Sequence, residues 1–247
     1  MTQPADKLRF ADLIGDFKSE SVPFVVLIVA ALALGAVNYL QPPLSFYESF
    51  PENVRLLSPF VWWAAVHTLA WVIVPIAVAR RYGFGLKDLG LSAAGLSSKL
   101  WLYGVLYVVT LVFIGIAALQ PSFLDTYPFL RASAAPVWSW RLLLSFWVLY
   151  SVQFFCVEFF FRGFMIFMLR PRFGYGAIAV MVVPYAMIHF PKPMPEAMAA
   201  IVGGTILGWL AFKTRSIWGG VLLHVAVALS MDAIAMLRND TGFPAVW

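Results

Sequence analysis

Long apolar runs separated by short polar segments dominate the chain. The runs are continuous rather than alternating, which predicts helices whose backbone polar groups are all bonded internally, as a bilayer requires. A spanning helix needs about 20 apolar residues, and the fifth and sixth runs are shorter than that. The predicted spans are Val22–Leu40, Pro59–Ala79, Leu100–Leu119, Arg141–Leu169, Gly176–Phe190, Glu196–Phe212 and Ile217–Leu237. We therefore predict an all-α, polytopic transmembrane helical bundle of about seven spans.

Composition agrees with an integral membrane protein. Hydrophobic residues make up 62% of the 247 positions and charged residues only 12%, and the mean hydropathy is +0.85. The single cysteine, Cys156, excludes an internal disulfide and lies in an apolar run. The net charge of +5 comes from basic residues in the segments between runs. They read as topology signals, so we expect membrane lipids as neighbours and no nucleic acid as a partner.

Basic residues alternate between the two sides of the predicted bundle. One side carries Lys7, Arg9, Lys18, Arg80, Arg81, Lys87, Lys99, Arg170, Arg172, Lys213 and Arg215. The other carries only Arg55, Arg131 and Lys192. Because basic loops stay in the cytoplasm, we expect a cytoplasmic N-terminus.

The first 21 residues form a separate N-terminal segment before the transmembrane domain 22–247. Phe10, Leu13, Ile14 and Phe17 recur at helical spacing, which predicts a short helix lying in the membrane interface. This segment is polar and mixed in charge, and the first apolar run is long enough to span, so we expect no secretory signal peptide.

Ionisable residues inside the apolar runs are the candidate functional groups. Glu158 and Arg162 lie four residues apart on the fourth run, His189 ends the fifth, and His224 and Asp232 lie on the seventh. A rise of about 1.5 Å per residue places Glu158 and both histidines roughly 10–20 Å from the cytoplasmic side. Intramembrane polar groups face the bundle interior or a wet cavity, so these depths allow one cluster. Carboxylate plus imidazole can activate water there, and a second imidazole can stabilise an oxyanion.

Structural interpretations of the same residues stay open. Glu158 and Arg162 can form an ion pair that only makes the helix tolerable in the membrane. Either histidine can be a satisfied interior residue, and Asp232, near an outer end, can be solvated. Glu196 at a helix start complements the helix dipole. Glu with two His also suits zinc, but no H-E-x-x-H spacing occurs, and we predict neither a metal nor a cofactor.

Three short motifs in order resemble the CPBP or Abi family of CAAX-prenyl and bacteriocin-processing membrane proteases. That family has E-E-x-x-x-R, then F/Y-x-x-x-H, then H-x-x-x-N on successive helices. The corresponding segments are Val157–Gly163, Tyr185–His189 and His224–Ala228, with similar flanking sequence at Leu86–Leu91 and Thr214–Trp218. The likeness covers about residues 86–237, which we take as the core of the domain.

Two positions depart from the family pattern. The first glutamate, which the resemblance identifies as the base that activates water, is Val157, and the final asparagine is Ala228. Glu158 is offset by about 100° around an α-helix, so it replaces the missing glutamate only if the fourth span is rotated or bulged near the motif. Asp232 then supplies a polar group in place of Ala228.

The resemblance implies a glutamic-type intramembrane endopeptidase acting on membrane-associated or lipid-modified peptides. Glu158 and His189 would activate water, His224 would stabilise the oxyanion, and Arg162 would orient Glu158 or hold the helix ends. The family's usual home is a prokaryotic plasma membrane. A second hypothesis is an inactive member that serves as a membrane scaffold or regulator, which Val157 and Ala228 favour. A proton-coupled carrier is the third, but it often shows inverted repeats and we find none.

Overall fold

The computed structural model describes residues 21–131, 138–238 and 242–247. In these residues the chain is helical, and its β pairing is limited to two isolated bridges, Leu91 with Ser216 and Ser139 with Val246. The predicted all-α class is confirmed. The predicted interfacial helix around Phe10–Phe17 lies outside the described residues.

Twelve α-helices, numbered here in chain order, form the described part of the chain. They are α1 (Ser21–Tyr39), α2 (Leu44–Glu48), α3 (Glu52–Arg55), α4 (Ser58–Thr68), α5 (Val74–Arg81), α6 (Leu100–Ala117), α7 (Pro121–Thr126), α8 (Trp140–Glu158), α9 (Phe167–Phe173), α10 (Gly176–Met187), α11 (Met194–Thr214) and α12 (Trp218–Arg238). Two π-helical segments join pairs of α-helices into longer continuous helices, called rods here. Leu69–Ile73 joins α4 to α5, and Phe159–Ile166 joins α8 to α9.

Six of the rods are long and apolar enough to cross a membrane. They are Ser21–Tyr39, Ser58–Arg81, Ser97–Ala117, Trp140–Phe173, Met194–Thr214 and Trp218–Arg238. They match six of the seven predicted spans, with ends that differ by a few residues.

The predicted fifth span is shorter than expected. Helix α10 has 12 residues, a rise of about 18 Å against a hydrocarbon core of about 30 Å, so its length alone does not cross a bilayer. The helix ends at Met187, and Pro191 and Pro193 soon follow, where the missing N–H cannot continue a helix. Helix α11 packs against α10.

The π-helical segment Phe159–Ile166 is the centre of the bundle. All eight of its residues are buried, and the segment contacts helices α1, α5, α10 and α11 as well as the other π-helical segment. The indole of Trp71 stacks on Phe160, with ring centroids 5.4 Å apart. Phe161 meets Tyr185 edge-on at 5.3 Å. This aromatic core fixes the rotation of the helix that carries Glu158 and Arg162.

A hydrogen-bonded link on the predicted cytoplasmic side closes the bundle. The amide of Ile217 donates to the carbonyl of Gly90 at 3.0 Å, and the Trp218 indole donates to the carbonyl of Leu91 at 3.3 Å. Close approach makes this link possible, since a Cβ on Gly95 would overlap the backbone carbonyl of Thr214. The start of α12 is thereby tied to the segment after α5.

The close approach at Gly95 gives a stability prediction. Gly95→Ala should lower the free energy of unfolding by about 1–3 kcal/mol, because the backbone must move to admit the methyl group. Gly104→Ala in α6 is the matched control, since nothing lies within 4 Å of its added Cβ and alanine favours a helix. Thermal unfolding in detergent measures both; equal stability of the two variants would contradict the expected clash.

Candidate active site

Glu158 and Arg162 form an ion pair in the interior of the bundle. Glu158 is the last residue of α8, and Arg162 follows within the π-helical segment. Glu158 Oε1 lies 3.1 Å from Arg162 Nη1, and both side chains have zero exposure. The bulge that the sequence analysis required is therefore present, directly after Glu158. Such π-helical turns inside α-helices are frequent at functional sites.

The same carboxylate oxygen also contacts His224 on α12. His224 Nδ1 lies 3.0 Å from Glu158 Oε1, and the imidazole packs against Phe154 with ring centroids 4.5 Å apart. An ionised carboxylate has no proton to donate and acts only as a hydrogen-bond acceptor. This contact therefore selects the His224 tautomer that is protonated at Nδ1. Nε2 then carries the lone pair. The His224 side chain is 15% exposed, in contrast to Glu158.

Two adjacent glycines allow α12 to approach this carboxylate. A Cβ on Gly220 would overlap Glu158 Oε2, and one on Gly219 would overlap the ring of Tyr103. The glycine pair is visible in the sequence. Glycine inside an apolar helix lowers the stability of the helix, so two adjacent glycines indicate a place where another element packs closely. Our sequence analysis did not use this signal.

Arg162 links the carboxylate to the fifth apolar run. Its guanidinium lies 4.0 Å from the centroid of the Tyr185 ring, a cation–π contact that is strong where water is excluded. Among the described residues, none of the three guanidinium nitrogens of Arg162 makes a hydrogen bond, and neither does Glu158 Oε2, so Nη1 meets Glu158 as an ion pair alone. The buried charges are therefore compensated by one shared ion pair, one imidazole and one aromatic face.

His189 lies on the other side of Tyr185. Its ring is 4.7 Å from the Tyr185 ring, and its Nδ1 lies 2.8 Å from the Tyr185 carbonyl oxygen. That carbonyl accepts a hydrogen bond from Nδ1–H, so Nε2 of His189 also carries the lone pair. His189 and Arg162 therefore contact the same tyrosine side chain. The expected pairing of Glu158 with His189 is replaced by a pairing of Glu158 with His224.

The two positions that depart from the family pattern are both packed in apolar surroundings. Val157 is 2% exposed in the main core, together with the phenylalanines of the π-helical segment. Ala228 is 3% exposed in a cluster with Phe146 and Tyr150. The neighbouring Glu158 is the residue that makes a hydrogen bond with His224 of α12.

Asp232 belongs to a second polar cluster. It is fully buried, so the interpretation as a solvated carboxylate is wrong. Its Oδ1 accepts from the Phe129 amide at 2.8 Å, and its Oδ2 accepts from the Trp147 indole at 3.3 Å. Neither partner belongs to the Glu158–His224 pair. Asp232 therefore ties the loop before α8 to α12.

Glu196 belongs to the same second cluster. It lies in the first turn of α11, as the helix-dipole interpretation expected, and also accepts from the Tyr127 hydroxyl at 3.0 Å. Burial, reinforced by the Glu196 carboxylate, raises the pKa of the Tyr127 hydroxyl well above its usual value. Burial lowers the pKa of Lys192, which lies between α10 and α11, while Glu196 and Asp232 oppose that shift.

The third histidine of the chain lies apart from these contacts. His67 on α4 is 2% exposed, its Nδ1 lies 2.7 Å from the Trp63 carbonyl, and its ring packs edge-on against Trp71 at 4.5 Å. The sequence analysis did not consider it, although it falls within the second predicted span.

The arrangement is suited to proton transfer. Two partly exposed imidazoles present Nε2 lone pairs, and one has a carboxylate behind it that stabilises the protonated ring. Among the described residues, no three His, Cys, Asp or Glu side chains are grouped so that they could hold a metal ion.

The buried ion pair gives a second stability prediction. Glu158→Gln should cost about 3–5 kcal/mol of unfolding free energy, because Arg162 is left as an unpaired buried cation. The double variant Glu158→Gln with Arg162→Met removes both charges and should cost clearly less than the single change. Thermal or denaturant unfolding in detergent measures both variants. A double variant that is less stable than Glu158→Gln would contradict an uncompensated charge as the cause.

Comparison with known proteins gives one match. Residues 138–230 match the family model described as Type II CAAX prenyl endopeptidase Rce1-like. No curated protein matches the chain significantly. No solved structure matches it significantly.

The matched segment contains Glu158, Arg162, His189 and His224, and it ends two residues before Asp232. The resemblance to the CAAX-protease family is thus confirmed for this segment, and six membrane-competent helices accompany it. Residues 138–230 of this integral membrane protein are thus similar to the Rce1-like type II CAAX prenyl endopeptidases, a family of proteases.

Proposed function

We propose that the protein is an intramembrane endopeptidase that hydrolyses a peptide bond of a membrane-associated, lipid-modified substrate with water activated by Glu158 and the two histidines. The observation that carries this proposal is the 3.0 Å contact between His224 Nδ1 and Glu158 Oε1. It joins two motifs that lie 66 residues apart in the sequence. A carboxylate held against one imidazole nitrogen prepares the other nitrogen to accept a proton.

His224 is the proton acceptor in this proposal. Its Nε2 takes a proton from water as the oxygen attacks the substrate carbonyl, and Glu158 stabilises the imidazolium that results. The protonated His224 then gives the proton to the departing amine. Glu158 has zero exposure whereas His224 is 15% exposed, which supports a role for Glu158 behind the imidazole rather than in direct contact with water.

His189 is the second group at the reacting centre. In its neutral form Nε2 is a proton acceptor, and once His189 has taken up a proton, Nε2–H donates to the carbonyl oxygen, where negative charge develops. Its Nδ1 contact to the Tyr185 carbonyl fixes the orientation of the ring. Tyr185 also carries Arg162 on its face at 4.0 Å, so one side chain connects the histidine to the ion pair.

Arg162 and Asp232 act by positioning other groups. Arg162 keeps Glu158 ionised, since an opposite charge within about 4 Å favours the charged carboxylate. Asp232 is not a direct replacement for the group missing at Ala228, because its oxygens are engaged by Phe129 and Trp147. It holds the loop before α8 over the same helix that carries His224.

The substrate class follows from the family and from the location of the site. A site among membrane-crossing helices suits a peptide delivered from the bilayer. The family name indicates a prenylated cysteine followed by two aliphatic residues and one further residue. We propose the domain boundaries 22–247, with a core at 86–237, and a prokaryotic plasma membrane as the location, as the sequence analysis predicted.

A non-catalytic role as a membrane scaffold is the second candidate. The Glu158 carboxylate is completely buried against Arg162, and Val157 and Ala228 are apolar and packed. Buried ion pairs also occur as purely structural features. In that case the four polar residues maintain the helix arrangement without turnover.

Activity of histidine variants separates the two candidates. With an internally quenched peptide that ends in a farnesylated Cys-aliphatic-aliphatic-X sequence, His224→Gln and His189→Gln should each lower kcat by about 100-fold or more. His67→Gln is the matched control and should retain turnover within a few-fold, since His67 contacts only Trp63 and Trp71 among the described aromatic and hydrogen-bond partners.

The same assay defines the results that would count against catalysis. Equal turnover by the wild type and the His224 variant would exclude the proposed proton acceptor. A wild-type protein that is folded, by its thermal transition, but cleaves neither the farnesylated nor the unmodified peptide would favour the scaffold.

A further inference from the structure

A basic pocket opens at the predicted cytoplasmic end of the bundle, away from Glu158 and both histidines. Its volume is about 390 Å³, and its lining combines Lys87, Arg170 and Arg215 with the apolar side chains of Phe167 and Pro171. Lys87 lies in the segment after α5, Arg170 in α9 and Arg215 after α11. Three separate parts of the chain therefore contribute a basic residue to the lining of one concave site.

The pocket has one acidic side chain, and that carboxylate is already engaged. Asp88 Oδ2 accepts a hydrogen bond from the Gly85 amide at 2.8 Å, which stabilises the turn that carries Lys87. Three cations against one carboxylate leave the pocket with an excess of positive charge. Such an excess favours an anionic ligand.

Arg215 has an unusual backbone conformation. Its φ of 52° and ψ of 34° are left-handed, and it is the only non-glycine residue with positive φ in the described part of the chain. Glycine is the usual residue where a helix ends in this conformation, because a Cβ is unfavourable there. Arg215 adopts this conformation in spite of its cost, and residues held in such conformations cluster at functional sites.

The backbone around Arg215 is held firmly on both sides. Thr214 Oγ1 donates to the carbonyl of Leu210 at 2.8 Å, and the amide of Ile217 donates to the Gly90 carbonyl at 3.0 Å. The guanidinium is therefore presented from a fixed point beside Lys87 rather than from a free loop.

The positive-inside rule explains why basic residues lie on this side but not why these three share a pocket. Arg80, Arg81 and Lys99 are exposed on the same predicted side, and none of them lines this pocket. Basic pockets between helices on the cytoplasmic side are suited to the head groups of anionic lipids. Phe167 and Pro171 provide apolar surface beside these cations. This suits a lipid, because its acyl chains adjoin its phosphate.

We propose that Lys87, Arg170 and Arg215 form a binding site for a phosphate-bearing anion, supplied by the head group of an anionic phospholipid of the cytoplasmic leaflet. This site is separate from the hydrolytic one, and its occupancy links the end of α9 to the connection between α11 and α12. Phosphate matches the cation set because guanidinium groups bind it in two-point hydrogen bonds.

The experiment measures the affinity of the purified full-length protein for phosphatidylglycerol in mixed micelles, with phosphatidylcholine as the uncharged reference lipid. The pocket variant is the double change Lys87→Gln with Arg215→Gly. Arg170 is left unchanged, because its guanidinium packs on the Phe212 ring, 4.2 Å from the ring centroid. The affinity of this variant for phosphatidylglycerol should fall about 25-fold, at about fivefold for each of the two cations removed.

The matched control removes the same charge elsewhere on the same side. Arg80→Gln with Lys99→Gln should change the affinity by less than about threefold, since neither residue lines the pocket. Equal losses in the pocket variant and the control would overturn the proposal and assign the effect to diffuse surface charge. An equal affinity of the wild type for the two lipids would overturn it as well.

Two further readouts make the test decisive. Arg215→Gly alone should unfold at the same temperature as the wild type or higher without lipid, because glycine relieves the left-handed strain, yet it should lose most of the shift that phosphatidylglycerol causes. Inorganic phosphate in lipid-free detergent forms the last arm. A shift with phosphate equal to that with lipid assigns the pocket to soluble phosphate, and a shift with lipid alone assigns it to the head group.

Discussion

The rest of the structure depends on one constraint, the placement of a carboxylate and a guanidinium where no water reaches them. Removing each ion from water costs several kcal/mol even after relaxation, so both must be compensated within the bundle. Glu158 has Arg162 and His224 for this purpose, and Arg162 has the face of Tyr185. These contacts join the fourth, fifth and last apolar runs. The two charges are costly to bury, and the contacts that compensate them also determine how these helices pack.

The π-helical segment and the paired glycines satisfy this constraint geometrically. The segment begins directly after Glu158, and every one of its residues is buried. Its aromatic side chains keep the surroundings apolar, which strengthens the attraction between the two charges. Gly220 removes the side chain that would overlap the carboxylate, so α12 can bring His224 within hydrogen-bond distance. A residue with a Cβ there would separate the two motifs.

Burial divides the site into two layers with different tasks. The charges lie in the deeper layer with zero exposure, and the two imidazoles lie above them, partly exposed. In the proposed protease the imidazoles handle protons while the ion pair fixes their orientation. The second polar cluster, built by Asp232, Glu196 and Tyr127, stabilises the loop on the opposite side of the site. Asp232 is thus engaged by this second cluster and not by the reacting groups.

The sequence alone determined the helical class, six of the spans and the identity of the polar residues, because a bilayer tolerates few alternatives to apolar helices and makes every buried charge conspicuous. It did not reveal that α10 ends at Met187, since hydropathy continues beyond the point where the helix stops. Only the tertiary structure decided which histidine meets Glu158. That outcome depends on the rotation of a π-helical turn and on contacts between residues 66 and 103 positions apart, which no local pattern encodes.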